Sequence, residues 1–250
     1  MQKRRLIAAI ACRNESTRLY AKPMQFLNIE KKISVIEFII NRLKKIKVID
    51  EIVLAISNEM DSLIYYNIAK KHKIKFIFGD KKDVLFRLIK AGKKNNATDI
   101  FRVTSESPFT YLEDLNQNWK KHIKGNYDAT FLDNIIDGCG YEIIKLKSLV
   151  QSHSHGESKH RSELCSLYIR ENKDKFNILK ILPPKHLVRY DLRLTIDYPE
   201  DLIVCREIYK ICYKNSRVNF YKIVNFFKKN EYLKKLIRKY TIAGYQSMYL

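Results

Sequence analysis

Two spacings of apolar residues alternate along this chain. Short runs that are apolar on both sides, "RLIAAIA" at 5–11, "EIVLAI" at 51–56, "KFIFG" at 75–79 and "DIFRVT" at 99–104, have the length and two-sided character of strands inside a parallel sheet. Between them lie stretches of helical period. "SVIEFIINRLKKI" carries Ile36, Ile39, Ile40, Leu43 and Ile46 on one face, with Ser34 and Glu37 spaced as a capping box. "MDSLIYYNIAKKH" and "DVLFRLIKAGKK" predict the next two helices. Short strands separated by helices of this length specify βαβ crossovers, hence an α/β protein with a twisted, mostly parallel, Rossmann-like sheet and helices on both faces. In such sheets ligands sit beyond the carboxyl ends of the strands.

The middle is less regular. "YDATFL" and "YEIIKL" predict strands flanking "DNIIDGCG", "SELCSLYIREN" predicts a helix and "FNILKIL" another strand. "LTIDYPEDLIVCREIYKIC" predicts a strand running into a helix, with Pro199 in its first turn. The chain ends in basic amphipathic helices over about 210–250. With no repeat and no linker, the expectation is one domain over 1–250, containing a β-rich segment at about 125–185.

The charge is lopsided: 48 Lys and Arg against 27 Asp and Glu leave +21. That excess fits either a phosphate-bearing partner or lysines spread over solvated helix faces, and the second reading covers most of them. No lysine cluster is interleaved with aromatics as a nucleic-acid motif would be, so nucleic acid is not the expected partner. Five scattered cysteines without CxxC pairing suggest reduced thiols in a cytoplasmic protein. The apolar part of "MQKRRLIAAIAC" is too short for a leader, and no stretch reaches the ~20 apolar residues of a membrane span.

The first strand breaks into "CRNESTRLYAKPM", where Arg13, Ser16, Thr17, Arg18 and Lys22 fall within ten residues. Guanidinium forks, an ammonium and hydroxyls at the carboxyl end of a parallel strand suit several close negative charges. Taken alone, the pattern fits a phosphate site or a solvated loop. It is neither a P-loop nor a dinucleotide fingerprint. "HSHGESKHR", with His153, His155 and His160, lacks a standard zinc spacing and is expected to be a flexible loop.

Read whole, "CRNESTRLYAKPM" resembles the signature loop of the cytidylyltransferases that make CMP-activated acidic sugars. "LKKIKVIDEIVLAIS", "FIFGDKKDVLFRLIKAG", "ATDIFRVTSESP" and "RLTIDYPEDLIVCREIY" follow in order, as in the spore-coat polysaccharide F-like branch. The resemblance implies a GT-A-type nucleotidyltransferase core that transfers CMP from CTP to an acidic sugar or related small acceptor, with release of pyrophosphate. By resemblance, Ala11, Arg13, Ser16, Thr17, Arg18 and Lys22 would hold the nucleotide, with Lys22 and Arg13 offsetting charge developing on the phosphates. Thr104 and Ser105 would flank the ribose and base, and Asp83 and Arg87 would help close the pocket, although Arg87 also reads as a plain helix-surface residue. Glu106 and Asp197 would hold Mg²⁺. Asp201 reads as an acid in a first helical turn. Asp137, Glu142, His160, Arg161 and Glu163 would face the acceptor, and a homodimer joined through the β-rich segment is implied.

The sequence departs from the family pattern at several points. Glu106 stands where Asp is usual, Tyr20-Ala21 replaces Pro-Gly, Tyr111 and Gly140 replace Asp, and only Glu163 of an Arg-Glu-His segment is kept. The phosphate half therefore looks intact and the acceptor half altered, which leaves open a GT-A glycosyltransferase or a silent binding homologue.

Overall fold

The computed structural model describes residues 3–214 and 217–248, with side chains through 213 and from 217 to 241. In chain order the elements are β1 (Leu6–Cys12), the hairpin β2 (Phe26–Asn28) and β3 (Ile33–Ser34), α1 (Val35–Leu43), β4 (Glu51–Ser57), α2 (Ile64–His72), β5 (Lys75–Gly79), α3 (Val84–Lys94) and β6 (Asp99–Thr104). Then come α4 (Leu115–Lys124), β7 (Ala129–Leu132), β8 (Tyr141–Lys145), α5 (Leu146–His155), α6 (Leu167–Glu171), β9 (Ile178–Ile181) and α7 (Pro199–Cys212). The chain finishes with the short pair β10 (Tyr213–Lys214) and β11 (Arg217–Val218), then α8 (Phe220–Lys229) and α9 (Glu231–Met248). Residues 249–250, the end of the expected C-terminal helices, lie outside the described residues.

Seven strands form one sheet in the order β5-β4-β1-β6-β8-β7-β9. All its pairings are parallel except those of β8, which runs antiparallel to both β6 and β7. β1 explains its own unbroken apolar run. Leu6, Ala8, Ile10 and Cys12 point into one core with α1, α7 and α8, while Ile7 and Ala9 point into a second core with α3, α5 and α6. A strand covered on both faces has no solvent side on which to place polar residues.

The capping box of α1 is present: Ser34 Oγ accepts from the Glu37 amide and Glu37 Oε2 accepts from the Ser34 amide. The β-rich segment supplies β7, β8 and β9, which extend the main sheet.

Three local expectations are corrected. Residues 194–197 are not a strand: Leu194 and Ile196 are buried, but their amides bond the Asp137 and Glu106 carbonyls, and the isolated bridge of Asp137 with Arg193 lies just before the segment. The histidine stretch is ordered, because His153 and His155 end α5 and Ser158–Arg161 forms a 3-10 turn. The helix expected from Ser162 begins only at Leu167. Helices α4 and α5 were not anticipated; their mixed polar sequences carry few apolar positions, and tertiary packing of Leu115, Trp119 and Leu149 decides them.

Candidate active site

After β1 the chain builds outward through β4 and β5, then returns to place β6 on the other side of β1. The loops leaving β1 and β6 at their carboxyl ends must therefore diverge, which opens a crevice between them. A cleft of about 770 Å³ occupies this place. Antiparallel β8 brings its first residues to the same end, pairing Glu142 with Arg102 of β6.

The β1 loop is folded tightly. The Ala21 amide donates to the Asn14 carbonyl at 2.8 Å, and Ala21 itself is left-handed, with φ 50°. Ala thus takes a conformation that a glycine adopts at lower cost, so the missing Pro-Gly does not unmake the turn. A 3-10 turn, Lys22–Met24, with Pro23 as its second residue, follows and carries Lys22 inward to Asp197. Lys81, from the loop before α3, pairs with Glu15 and Glu59, which ties this loop to its neighbours.

Of the sequence-expected nucleotide residues, Ala11, Arg13, Ser16, Thr17, Arg18, Lys22, Arg87, Thr104 and Ser105 line the cleft. Lys22 Nζ lies 2.6 Å from Asp197 Oδ1 and Arg18 Nη2 lies 3.2 Å from the same atom. Arg13 Nη2 reaches Glu163 Oε2 at 3.1 Å. Ser105 Oγ donates to Glu106 Oε2 at 3.1 Å.

Arg87 is not a surface residue: it is 1% exposed, and its Nη1 donates to the carbonyls of Asp80 at 2.9 Å and Lys81 at 3.3 Å. Burial pushes its pKa down, and its Nε has no partner. Arg13, Arg18, Lys22, Arg102, Arg170 and Arg193 also line the cleft, and each is ion-paired. Arg87 makes no ion pair among the described residues.

Asp83 is turned to other work. It caps α3, accepting from the Phe86 amide at 2.8 Å, and bonds His153 Nε2 at 2.7 Å, outside the cleft lining.

Glu106 and Asp197 do come together at the cleft. Burial raises the pKa of Glu106; Lys22 opposes that rise and the charge of Asp197 adds to it. For Asp197 burial also acts upward, but Lys22, Arg193 and Arg18 outweigh it and bring the carboxyl below its usual range. A pair of carboxylates, one under-neutralised, suits a hard cation that takes one or two protein oxygens and fills its shell with phosphates and water. No group of three or more His, Cys, Asp or Glu side chains among the described residues forms an all-protein cage.

The acceptor-side residues divide. Asp137 and Glu142 line the cleft but are committed to arginines: Asp137 Oδ2 to Arg193 Nη1 at 2.5 Å, and Glu142 to Arg102 at 3.1 Å and Arg170 at 3.0 Å. Glu163 sits exposed at the rim. His160 and Arg161 do not line the cleft. His160 is buried, accepting from the Glu157 amide at 2.8 Å and bonding Glu171 at 2.8 Å.

Sequence reasoning missed Arg193, the hub of the far wall. Besides Asp137 it holds Asp197 Oδ2 at 2.5 Å and Asp201 Oδ1 at 3.0 Å. Asp201 also accepts from the Asp197 and Tyr198 amides at 2.9 and 3.0 Å, as an acid at the start of a helix should. A lone arginine four residues before an aspartate gives no signal by itself, because Asp137 arrives from 56 residues away. Arg102, Arg170, Tyr198 and Tyr240 were likewise missed.

The family model described as Cytidylyltransferase matches residues 7–243. A protein of Methanocaldococcus jannaschii with no characterised function is 28% identical over 232 residues, covering 93% of this chain and 94% of that protein. The spore coat polysaccharide biosynthesis protein SpsF of Bacillus subtilis is 23% identical over 230 residues, covering 90% and 95%. Among solved structures, a cytidylyltransferase from Leptospira borgpetersenii serovar Hardjo-bovis superposes with TM-score 0.83 at 22% identity, over 92% of this chain and 97% of that one. CMP:2-keto-3-deoxy-manno-octonic acid synthetase complexed with CTP superposes with TM-score 0.58 at 12% identity, over 82% and 98%.

Proposed function

The chain belongs to the cytidylyltransferase family, and on that premise we propose that it transfers CMP from CTP to a hydroxyl or phosphate of a small acidic sugar or related metabolite, releasing pyrophosphate. The observation that carries this reading is the convergence of Arg13, Arg18 and Lys22 on a cleft whose opposite wall presents Glu106 and Asp197. Kinship with a spore-coat polysaccharide protein supports a role in surface-glycan synthesis.

The cations of the β1 loop are held by carboxylates: Arg13 by Glu163, and Arg18 and Lys22 by Asp197. An incoming triphosphate would exchange these partners, so the loop is already shaped for close negative charge. Lys22 and Arg13 would then stabilise charge building on the α-phosphate oxygens as the acceptor oxygen attacks and pyrophosphate departs. Thr104 and Ser105 stand where ribose and base would rest. Glu106 and Asp197 would hold Mg²⁺, which when bound neutralises phosphate charge and orients the leaving group. Arg193 keeps Asp197 aimed at the cleft.

No described helix is long and apolar enough to cross a membrane. We expect a homodimer, with the edge strand β9 and the neighbouring Leu182, 89% exposed, as its apolar seam; sedimentation of Leu182→Glu against the native chain tests it.

The decisive experiment compares thermal shifts with CTP, UTP, ATP and GTP, with and without Mg²⁺. At a hundred times its dissociation constant a ligand stabilises by about 2.7 kcal/mol. A CTP-selective, metal-enhanced shift supports the reading, and equal shifts with all four nucleotides overturn it. Pyrophosphate release across a panel of sugar acids and sugar phosphates then identifies the acceptor. Tight CTP binding with no release from any acceptor would mark a silent homologue.

A further inference from the structure

The cleft is completed by a residue from the far end of the chain. Tyr240, on α9, lines it together with Arg18, Asp197 and Tyr198. Its ring lies on Tyr198 with centroids 3.7 Å apart and planes 11° from parallel. Its hydroxyl donates to Glu200 Oε1 at 2.9 Å, and Lys239 Nζ lies 3.6 Å from the same oxygen. The helix itself is anchored elsewhere, through buried Leu233, Ile237 and Thr241. The Tyr240 side chain is therefore not what holds α9 in place.

Tyr198 in turn bears on the β1 loop. The guanidinium carbon of Arg18 lies 5.4 Å from its ring centroid, within cation–π range. Arg18 is otherwise exposed on a loop, and its ion pair is to an Asp197 oxygen that Lys22 also holds. When a triphosphate draws Arg18 and Lys22 away from Asp197, the face of Tyr198 remains to orient Arg18. A tyrosine ring at the start of a helix would swing freely if nothing covered it, and Tyr240 covers it.

We propose that Tyr240 is a positioning residue for nucleotide binding, acting through Tyr198 to hold Arg18 toward the outer phosphates of CTP. The proposal rests on the cytidylyltransferase reading above. The C-terminal helices thereby become part of the nucleotide site, with the Tyr198–Tyr240 stack as the link that bears on Arg18.

The test is a set of binding measurements with CTP and CMP on the full chain. Tyr240→Ala is expected to weaken CTP about 5- to 20-fold, the scale of one cation–π contact. CMP, which lacks the outer phosphates, should change less than twofold. Tyr240→Phe keeps the stack, loses only the Glu200 bond and should bind CTP within about twofold of the native chain. In an Arg18→Ala background, Tyr240→Ala should add nothing, because coupled residues are not additive. Equal losses for CTP and CMP, or full additivity with Arg18→Ala, would overturn the proposal by showing that the tyrosine only supports the fold. If the native chain fails to prefer CTP over other nucleotides, the cytidylyltransferase reading fails and this proposal with it. If CTP preference is intact and Tyr240→Ala is silent, this proposal alone is wrong.

Discussion

Lys22 and Asp197, 175 residues apart in sequence, meet in a 2.6 Å charge-assisted hydrogen bond at the mouth of the crevice between β1 and β6. The pair joins the two walls of the cleft, one built by the first loop of the chain and the other by the approach to α7. It also explains why a protein of net charge +21 does not present a bare cationic hole here: the cations of the first loop arrive already matched.

Removing Lys22 is therefore expected to act on chemistry more than on fold. Lys22→Met should lower the rate of pyrophosphate release by on the order of 10²–10³, as loss of one donor aimed at developing charge does. It should also leave Glu106 and Asp197 facing each other with less compensation. Steady-state kinetics with CTP varied would show the loss in kcat; an effect confined to KM would mean that Lys22 contributes only uniform binding.

Arg87 should behave in the opposite way toward stability. It is a buried cation with carbonyl partners and no ion pair among the described residues, and burying such a charge is costly. Arg87→Met is expected to keep or raise the melting temperature while weakening CTP binding about tenfold or more. A variant that melts well below the native protein would show the arginine to be a structural strut.

Gly138 illustrates backbone constraint at the far wall. Its φ is +84°, and an added Cβ would lie 2.5 Å from the Thr195 amide nitrogen, so both conformation and space demand glycine. Gly138→Ala should cost on the order of 2–4 kcal/mol of unfolding free energy by urea titration. It should displace Asp137 and the Arg193 hub with it. Native-like stability in this variant would refute the close approach.

Acid stability follows from Glu142 and Glu37. Burial alone would raise the Glu142 pKa, but Arg102 and Arg170 outweigh it and bring the carboxyl down to about 2. Glu37 is likewise pushed up by burial and brought down to about 2, by Lys71, the Ser34 hydroxyl and amide, and His72. An acid with a depressed pKa binds fewer protons folded than unfolded. Its stabilisation is thus complete above its unfolded pKa near 4.5 and is lost as pH falls toward 2. Unfolding free energy measured between pH 6 and pH 2 should drop mostly below 4.5, and Glu142→Gln should flatten that slope while lowering stability at neutral pH. A flat native profile would sink the assignment.

What was legible in the sequence, and what was not, divides along one physical line. The alternation of β1, α1, β4, α2, β5, α3 and β6 could be read directly, because burial on two faces or one leaves a local period that needs no knowledge of the partner. The clustering of the β1 loop at the cleft was equally legible: Arg13, Ser16, Thr17, Arg18 and Lys22 are neighbours in sequence, and the end of a parallel strand dictates where they go. Only the tertiary structure decided the other wall. Arg193 has meaning through Asp137 and Asp201, His160 and Asp83 are spent on Glu171 and His153, and Tyr240 reaches Tyr198 from the last helix. Residues 194–197 have the apolar pattern of a strand, yet the Leu194 and Ile196 amides found loop carbonyls in place of a sheet edge. Local periodicity encodes what a segment buries; which distant group satisfies a charge or an amide depends on how the chain closes on itself.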